Sequence, residues 1–234
     1  MNKICFCIPT TTKNRPDDNK TPELITSLTQ LDDSIVGENN KLTIYVGYDS
    51  DDPFYTEDFN KNQFLLLTNL NVLWLEQEVE KGNVVEIWNN LAKRAMNDGY
   101  DYFMIIGDDI DYPRNYSWID SVLTAKLKST NDIGIAGGDS GNPNLPMTQF
   151  MISRKHLQFF GYVYNPMLKN WFCDNYLLEL YPKKFTHYMS EIKLTNTGGQ
   201  PRYRPENHQR LYKALVKRDR PKLLKYINNN NYMD

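Results

Sequence analysis

A chain of 234 residues can bury one full core, and 40% hydrophobic with 24% charged residues is the balance of a globular fold. Lys and Arg number 27 against 29 Asp and Glu, a formal charge of −2, so no global field points to nucleic acid as a partner. Three cysteines, Cys5, Cys7 and Cys173, make neither an even disulfide set nor a zinc-ligand spacing. The apolar stretch before Pro9 is too short for a signal peptide, and nowhere do about 18 apolar residues run together. These features predict a soluble, cytoplasmic protein with no transmembrane segment.

Along the chain, strand and helix signals alternate. Lys3 to Pro9 (KICFCIP) reads as a first strand, and Thr21-Pro22-Glu23 opens a helix reaching about Asp32. Lys41 to Asp49 (KLTIYVGYD) is a second strand and Asn71 to Glu76 (NVLWLE) a third. Between Asn83 and Asn97, Val84, Ile87, Trp88, Leu91, Ala92 and Ala95 recur at the spacing of one helical face. Tyr102 to Ile106 is a buried strand that Gly107 ends. Ser117 to Ser129 reads as a helix, Ile133 to Ala136 and Gln149 to Ser153 as strands, and Asp174 to Tyr181 as a helix stopped by Pro182. This order predicts an α/β fold, a mostly parallel, Rossmann-like sheet flanked by helices, with its ligand site at the carboxyl ends of the strands. From Pro201 to Asp234 nine Lys or Arg face three acids, a basic helical C-terminal tail able to make weak contact with an anionic membrane surface.

Polar residues gather at those carboxyl ends. The first strand runs into Pro9-Thr10-Thr11-Thr12-Lys13-Asn14-Arg15-Pro16, the second ends in Gly47-Tyr48-Asp49, and the fourth delivers Asp108, Asp109 and Asp111. Three carboxylates so close repel one another unless a cation sits among them, and hard oxygen ligands suit Mg²⁺ or Mn²⁺. A divalent metal carrying a diphosphate fits this, because no Gly-rich phosphate loop is present to do the same with backbone amides.

Ile8-Pro9-Thr10 near the start, Asp49 closing the second strand, the Trp88-Asn89 helix and a strand ending in a DxD-type acid cluster together resemble a GT-A fold glycosyltransferase. Downstream, Gln149 to Pro166 followed by Asn170 to Tyr181 is similar to the acceptor half of family 2-like inverting transferases, and the whole resembles small transferases encoded by large DNA viruses. The resemblance implies a transferase domain over residues 1–205, with a nucleotide-sugar half over 1–111 and an acceptor half over 112–205, before the tail of 206–234. It implies transfer from a nucleotide-diphosphate sugar, uridine being the expected base, to a carbohydrate or other hydroxyl acceptor with inversion.

Carried onto this chain, the resemblance implies that Pro9, Thr10, Thr11, Arg15, Asp49, Asn89 and Asp108 contact the nucleotide-sugar, with Asp49 accepting from the base. Asp109 would be the first metal ligand and Asp111 the second, although the matching triplet can equally be Gly107-Asp108-Asp109. A late His on the metal would be His208 or His187. Asp174 would be the general base, or equally the cap of its helix, and Trp171 and Phe172 would stack on the acceptor. Arg202 or Arg204 could close over the diphosphate. A nucleotidyltransferase and a non-catalytic carbohydrate-binding protein stay open as alternatives.

Overall fold

The computed structural model describes residues 2–13, 23–35, 41–114, 117–145, 147–198, 206–230 and 232. Its elements in chain order are β1 (Lys3–Thr10), α1 (Glu23–Ser34), β2 (Lys41–Asp49), α2 (Asp58–Leu67), β3 (Val72–Gln77), α3 (Val84–Asn97), β4 (Tyr102–Ile105) and the two-residue β5 (Ile110–Asp111). A π-helical turn over Ile119–Thr124 then continues into α4 (Ala125–Lys128). There follow β6 (Ile135–Asp139), β7 (Phe150–Ser153), α5 (Arg154–Phe160), α6 (Cys173–Leu180), β8 (Thr186–Lys193), the two-residue β9 (Thr195–Asn196) and α7 (Gln209–Asn229).

Seven strands form one sheet in the order β3-β2-β1-β4-β7-β6-β8, and β5 pairs with β9 in a separate two-stranded ladder. β1, β2, β3 and β4 are mutually parallel where they pair, as are β6 and β8; β7 alone runs antiparallel to its neighbours β4 and β6. The central parallel strands β1, β2 and β4 are buried on both faces, which is why they read as continuous apolar runs. Along β1, Ile4, Phe6 and Ile8 enter the core beneath α1, whereas Cys5 and Cys7 enter the core beneath α3. The cysteines are free, buried core residues, as their alternation predicts.

Several elements differ from the sequence reading. The stretch expected as one helix over 117–129 opens as a π-turn, with Leu123 N–H bonding Trp118 O, while Thr124 Oγ1 donates back to Ile119 O and Asp120 O. α2 carries its apolar residues bunched at one end, with no helical stripe to betray it, and β8 is an edge strand whose residues are mostly exposed or half-exposed.

His156 of α5 shows how the second half of the core is closed. Its Nε2 lies 3.0 Å from Val163 O, which can only accept, so Nε2 carries the proton and Nδ1 accepts from the Tyr181 hydroxyl at 2.7 Å. Burial drives its pKa down to about 4 from an ordinary 6.5. A depressed histidine contributes stability that is complete above about pH 6.5 and is lost as pH falls toward 4, on the order of 3 kcal/mol over that window. Denaturant unfolding across that range should therefore show the stability advantage of the wild type over His156→Gln shrinking steadily with acid; a constant difference would mean the imidazole is not held neutral.

Candidate active site

The strand order places the change of direction between β1 and β4: the chain leaves β1 toward β2 on one side and returns to β4 on the other. Open α/β sheets bind ligands at the carboxyl edge of such a switch point. Here that edge is bridged by one short bond, Thr10 Oγ1 donating to Asp108 Oδ2 at 2.6 Å, with both side chains buried. The Tyr55 hydroxyl lies 3.1 Å from the same Thr10 oxygen. Gly107 N–H is held by Gln149 Oε1 at 2.9 Å, which fixes where the chain turns out of β4.

Asp109 is buried beside Asp108 and is enclosed from the other side by the segment around β9. Asn196 Nδ2 donates to Asp109 Oδ1 at 2.9 Å, and Thr197 donates through both N–H and Oγ1 to Asp109 O. Gly198 follows, and a Cβ there would collide with the Asp109 carboxylate, so only glycine permits this approach. The third carboxylate near this pair comes from Glu23 at the start of α1: Glu23, Asp108 and Asp109 each offer an oxygen within 4.8 Å of the others. Asp111 lies exposed on β5 and, like His208, is outside this group among the described residues. His208 Nε2 instead lies 3.1 Å from Glu206 Oε2, and His187 Nε2 lies 3.1 Å from Thr130 Oγ1.

Beside the acids lies a cleft enclosing about 610 Å³, open to solvent on one side. Pro9, Thr10, Thr11, Lys13 and Asp49 form one wall, and Val79 with the segment from Lys81 to Val84 and Ile87 forms the other. Burial pushes the Asp49 carboxyl above its usual range, while Lys13, whose Nζ is 3.6 Å away, pulls it back down. Arg15, Arg202 and Arg204 lie outside the described residues.

Asp52 went unread in the sequence. Fully buried in the loop after β2, it accepts from Thr11 Oγ1, Thr12 N–H and Thr12 Oγ1 at 2.7–2.9 Å, and from Phe54 and Tyr55 N–H at 3.0 and 3.2 Å. One carboxylate thus ties the loop leaving β1 to the loop leaving β2, the two loops that shape one wall of the cleft. An Asp in a polar loop looks like any turn residue, so nothing in one-dimensional pattern distinguishes it.

Asp174 sits in the first turn of α6, after Phe172 in a left-handed conformation (φ 71°). Burial raises its pKa to about 7, partly offset by hydrogen bonds from the Tyr164 hydroxyl (3.1 Å) and the Cys173 thiol. A chain of contacts ties it to the acid loop: Tyr164 packs edge-on against Trp88 at 5.4 Å, and Trp88 Nε1 donates to Ile106 O. Asn89, next along α3, accepts from Val163 and Tyr164 N–H and donates to Tyr164 O, so its amide joins the helix to the loop that carries Tyr164. Asn170 Nδ2 donates to Gly82 O, and Val85 N–H donates to Lys169 O, pinning the approach to α6 against the wall of the cleft. Trp171 is 47% exposed, whereas Phe172 is half-buried and stacked on Tyr212 at 5.5 Å and 9°.

No protein-family model and no curated protein matches this chain. Among solved structures, the chain is similar to Staphylococcus aureus TarS, a GT-A glycosyltransferase, at 14% identity and a TM-score of 0.55 over 84% of this chain and 37% of that one. A structure of TarS residues 1–349 aligns at 16% identity and a TM-score of 0.52, covering 84% of this chain and 60% of that one. The same fragment in complex with UDP aligns at 15% identity and a TM-score of 0.50, over 82% of this chain and 60% of that one. The fold is GT-A. This chain spans 37% of the longer TarS structure and 60% of its shorter fragment.

Removing the Asp52 carboxylate should loosen this edge. Asp52→Ala leaves three backbone N–H groups without their acceptor, and each buried orphan costs roughly 1–3 kcal/mol. Denaturant unfolding should show a loss of at least that size, and an unchanged midpoint would mean that the two loops are held by other contacts.

Proposed function

We propose that this chain is a metal-dependent glycosyltransferase that moves a sugar from a UDP-type donor to a hydroxyl acceptor with inversion. The observation that carries the reading is the meeting of three features at one sheet edge. These are an open cleft lined by Thr10, Thr11 and Asp49, a trio of carboxylates joined to it through the bond from Thr10 to Asp108, and Asp174 with a pKa near neutrality, linked to the acid loop through Tyr164 and Trp88. The GT-A fold and the UDP held by one TarS structure support the same class of donor.

The chemistry of the donor set suits a hard divalent cation. Glu23, Asp108 and Asp109 supply oxygen only, close enough together to share one ion, so they are the residues that would hold Mn²⁺ or Mg²⁺. When bound, such an ion neutralises charge on the donor's diphosphate. Asp109 keeps its role as a ligand and Asp108 joins it, as in the Gly107-Asp108-Asp109 register, while Glu23 stands where the resemblance implied Asp111 or His208. Asp49 accepts a hydrogen bond from a base imide, and Thr10 and Thr11 line the same wall. The acceptor oxygen attacks the anomeric carbon while Asp174 removes its proton, and the bond from that carbon to the diphosphate breaks, releasing UDP. A carboxylate with a pKa near 7 suits that task, since a substantial fraction is ionised near neutrality and that fraction is more basic than an ordinary carboxylate.

Two measurements decide the reading. Calorimetric titration of UDP should show binding that needs Mn²⁺ or Mg²⁺, with Asp109→Asn weakening it in metal but not in chelator; equal affinity with and without metal would remove the ion from the site. Incubation with UDP-sugars should release UDP, whereas release of pyrophosphate from nucleoside triphosphate and sugar phosphate would put nucleotidyl transfer in its place.

The position before α6 is filled by Phe172, with no side-chain cap, so Asp174 is not the cap of its helix; Asp174→Asn preserves its size and an oxygen able to accept from Tyr164 but not its basicity. Donor affinity should survive and transfer should fall by about 10²–10⁴-fold. The wild-type rate should climb as pH rises through about 7, where Asp174 gives up its proton, and that limb should vanish in the variant. A retained anomer in the product, read by NMR, would overturn the single-displacement mechanism.

A further inference from the structure

α7 carries a charge distribution that the catalytic reading does not use. Its 21 residues hold seven Lys or Arg and one acid, out of 27 and 29 in the whole chain, leaving 20 cations against 28 acids elsewhere. The one acid, Asp219, is turned inward: it is buried and accepts from the Tyr176 and Tyr162 hydroxyls, Asn165 Nδ2 and both arms of Arg218. The apolar side of the helix, Tyr212, Leu215, Val216, Leu223 and Ile227, is buried against the body of the protein. Arg210, Lys213, Lys217, Arg220, Lys222 and Lys225 all remain exposed. At 100° per residue these six spread over the whole solvent side of the helix, with no carboxylate among them.

We propose that this face of α7 docks the protein on an anionic membrane surface. Charge complementarity selects a polyanion. The shape selects among polyanions: a single helix face is convex and offers flexible cations without a groove. Both aromatic rings of α7 are engaged inward, Tyr212 on Phe172 and Tyr226 on Phe159, so the cationic face itself interleaves no ring with its cations for successive nucleobases to stack on. A planar sheet of negative headgroups is the polyanion such a surface meets with all its cations at once. Trp171 lies beside the start of the helix, between Asn170, which accepts from Glu206 N–H, and Phe172, which stacks on Tyr212, and its exposed ring offers an interfacial anchor there. The acidic remainder of the chain turns the protein into a dipole that a negative surface would orient with α7 inward. No helix among the described residues is long and apolar enough to cross a membrane, so the contact is peripheral.

The experiment is flotation of the whole protein with vesicles of phosphatidylcholine alone or with phosphatidylglycerol added. Binding should appear only with phosphatidylglycerol and should disappear in high salt, because headgroup attraction is screened within a Debye length. Reversing Lys213, Lys217, Arg220 and Lys225 to Glu should weaken partitioning by at least about 100-fold. UDP binding should be unchanged in that variant, which separates this inference from the assignment of the active site. Should the variant not fold, the salt series on the wild type decides the matter. Equal flotation on both vesicle types, salt-independent flotation, or retention of nucleic acid or an acidic polysaccharide without flotation would each overturn the proposal.

Discussion

The bond from Thr10 to Asp108 spans the point at which the sheet's strand order reverses. Everything at the carboxyl edge is positioned relative to it. β1 and β4 can present their loops to a common ligand only if their ends are held in register, and parallel pairing alone stops at Cys7 and Ile105. Beyond that the chain depends on side chains: Thr10 to Asp108, Gln149 to Gly107 and Asp52 to the loop after β1. Polar clamps of this kind strengthen in a buried site because little water competes for them.

Much of this was legible in the sequence, for a physical reason. Strands buried on both faces must be apolar throughout, so β1, β2 and β4 announce themselves. The strongly amphipathic α3 does the same, and acids stranded at the end of such a run have few structural explanations. What was hidden depends on contacts between distant parts of the chain. Glu23 reads as an ordinary residue of a helix's first turn until α1 packs beside β5, where Ser27 donates to Ile110 O. Asp52 and Asn89 belong to the same class, since their meaning lies in which backbone groups they reach. Asp111 shows the converse: two residues from Asp109 in sequence, it lies exposed on β5 while Asp109 is buried, so nearness along the chain does not carry it into the group.

The region around α6 shows how an acid acquires a pKa suited to proton transfer. Two donors hold Asp174, yet burial outweighs both. The left-handed turn at Phe172 that sets the start of α6 is stacked on Tyr212 of α7, and Tyr212 in turn donates to Glu179 at the far end of α6. The C-terminal helix is therefore a brace for the helix that carries Asp174.

The antiparallel strand β7 has a different consequence. It lies between β4, which delivers the acids, and β6, which belongs to the second half of the chain, and four of its residues pair along β4. A polypeptide ending after Asp111 would leave β4 as a bare apolar edge, open to association with any other strand. The half of the chain up to Asp111 is consequently not a portable module. Recombination that exchanged everything after Asp111 would have to supply a replacement for β7 in the same register, so variation is far more accessible through loop changes than through swapping of halves.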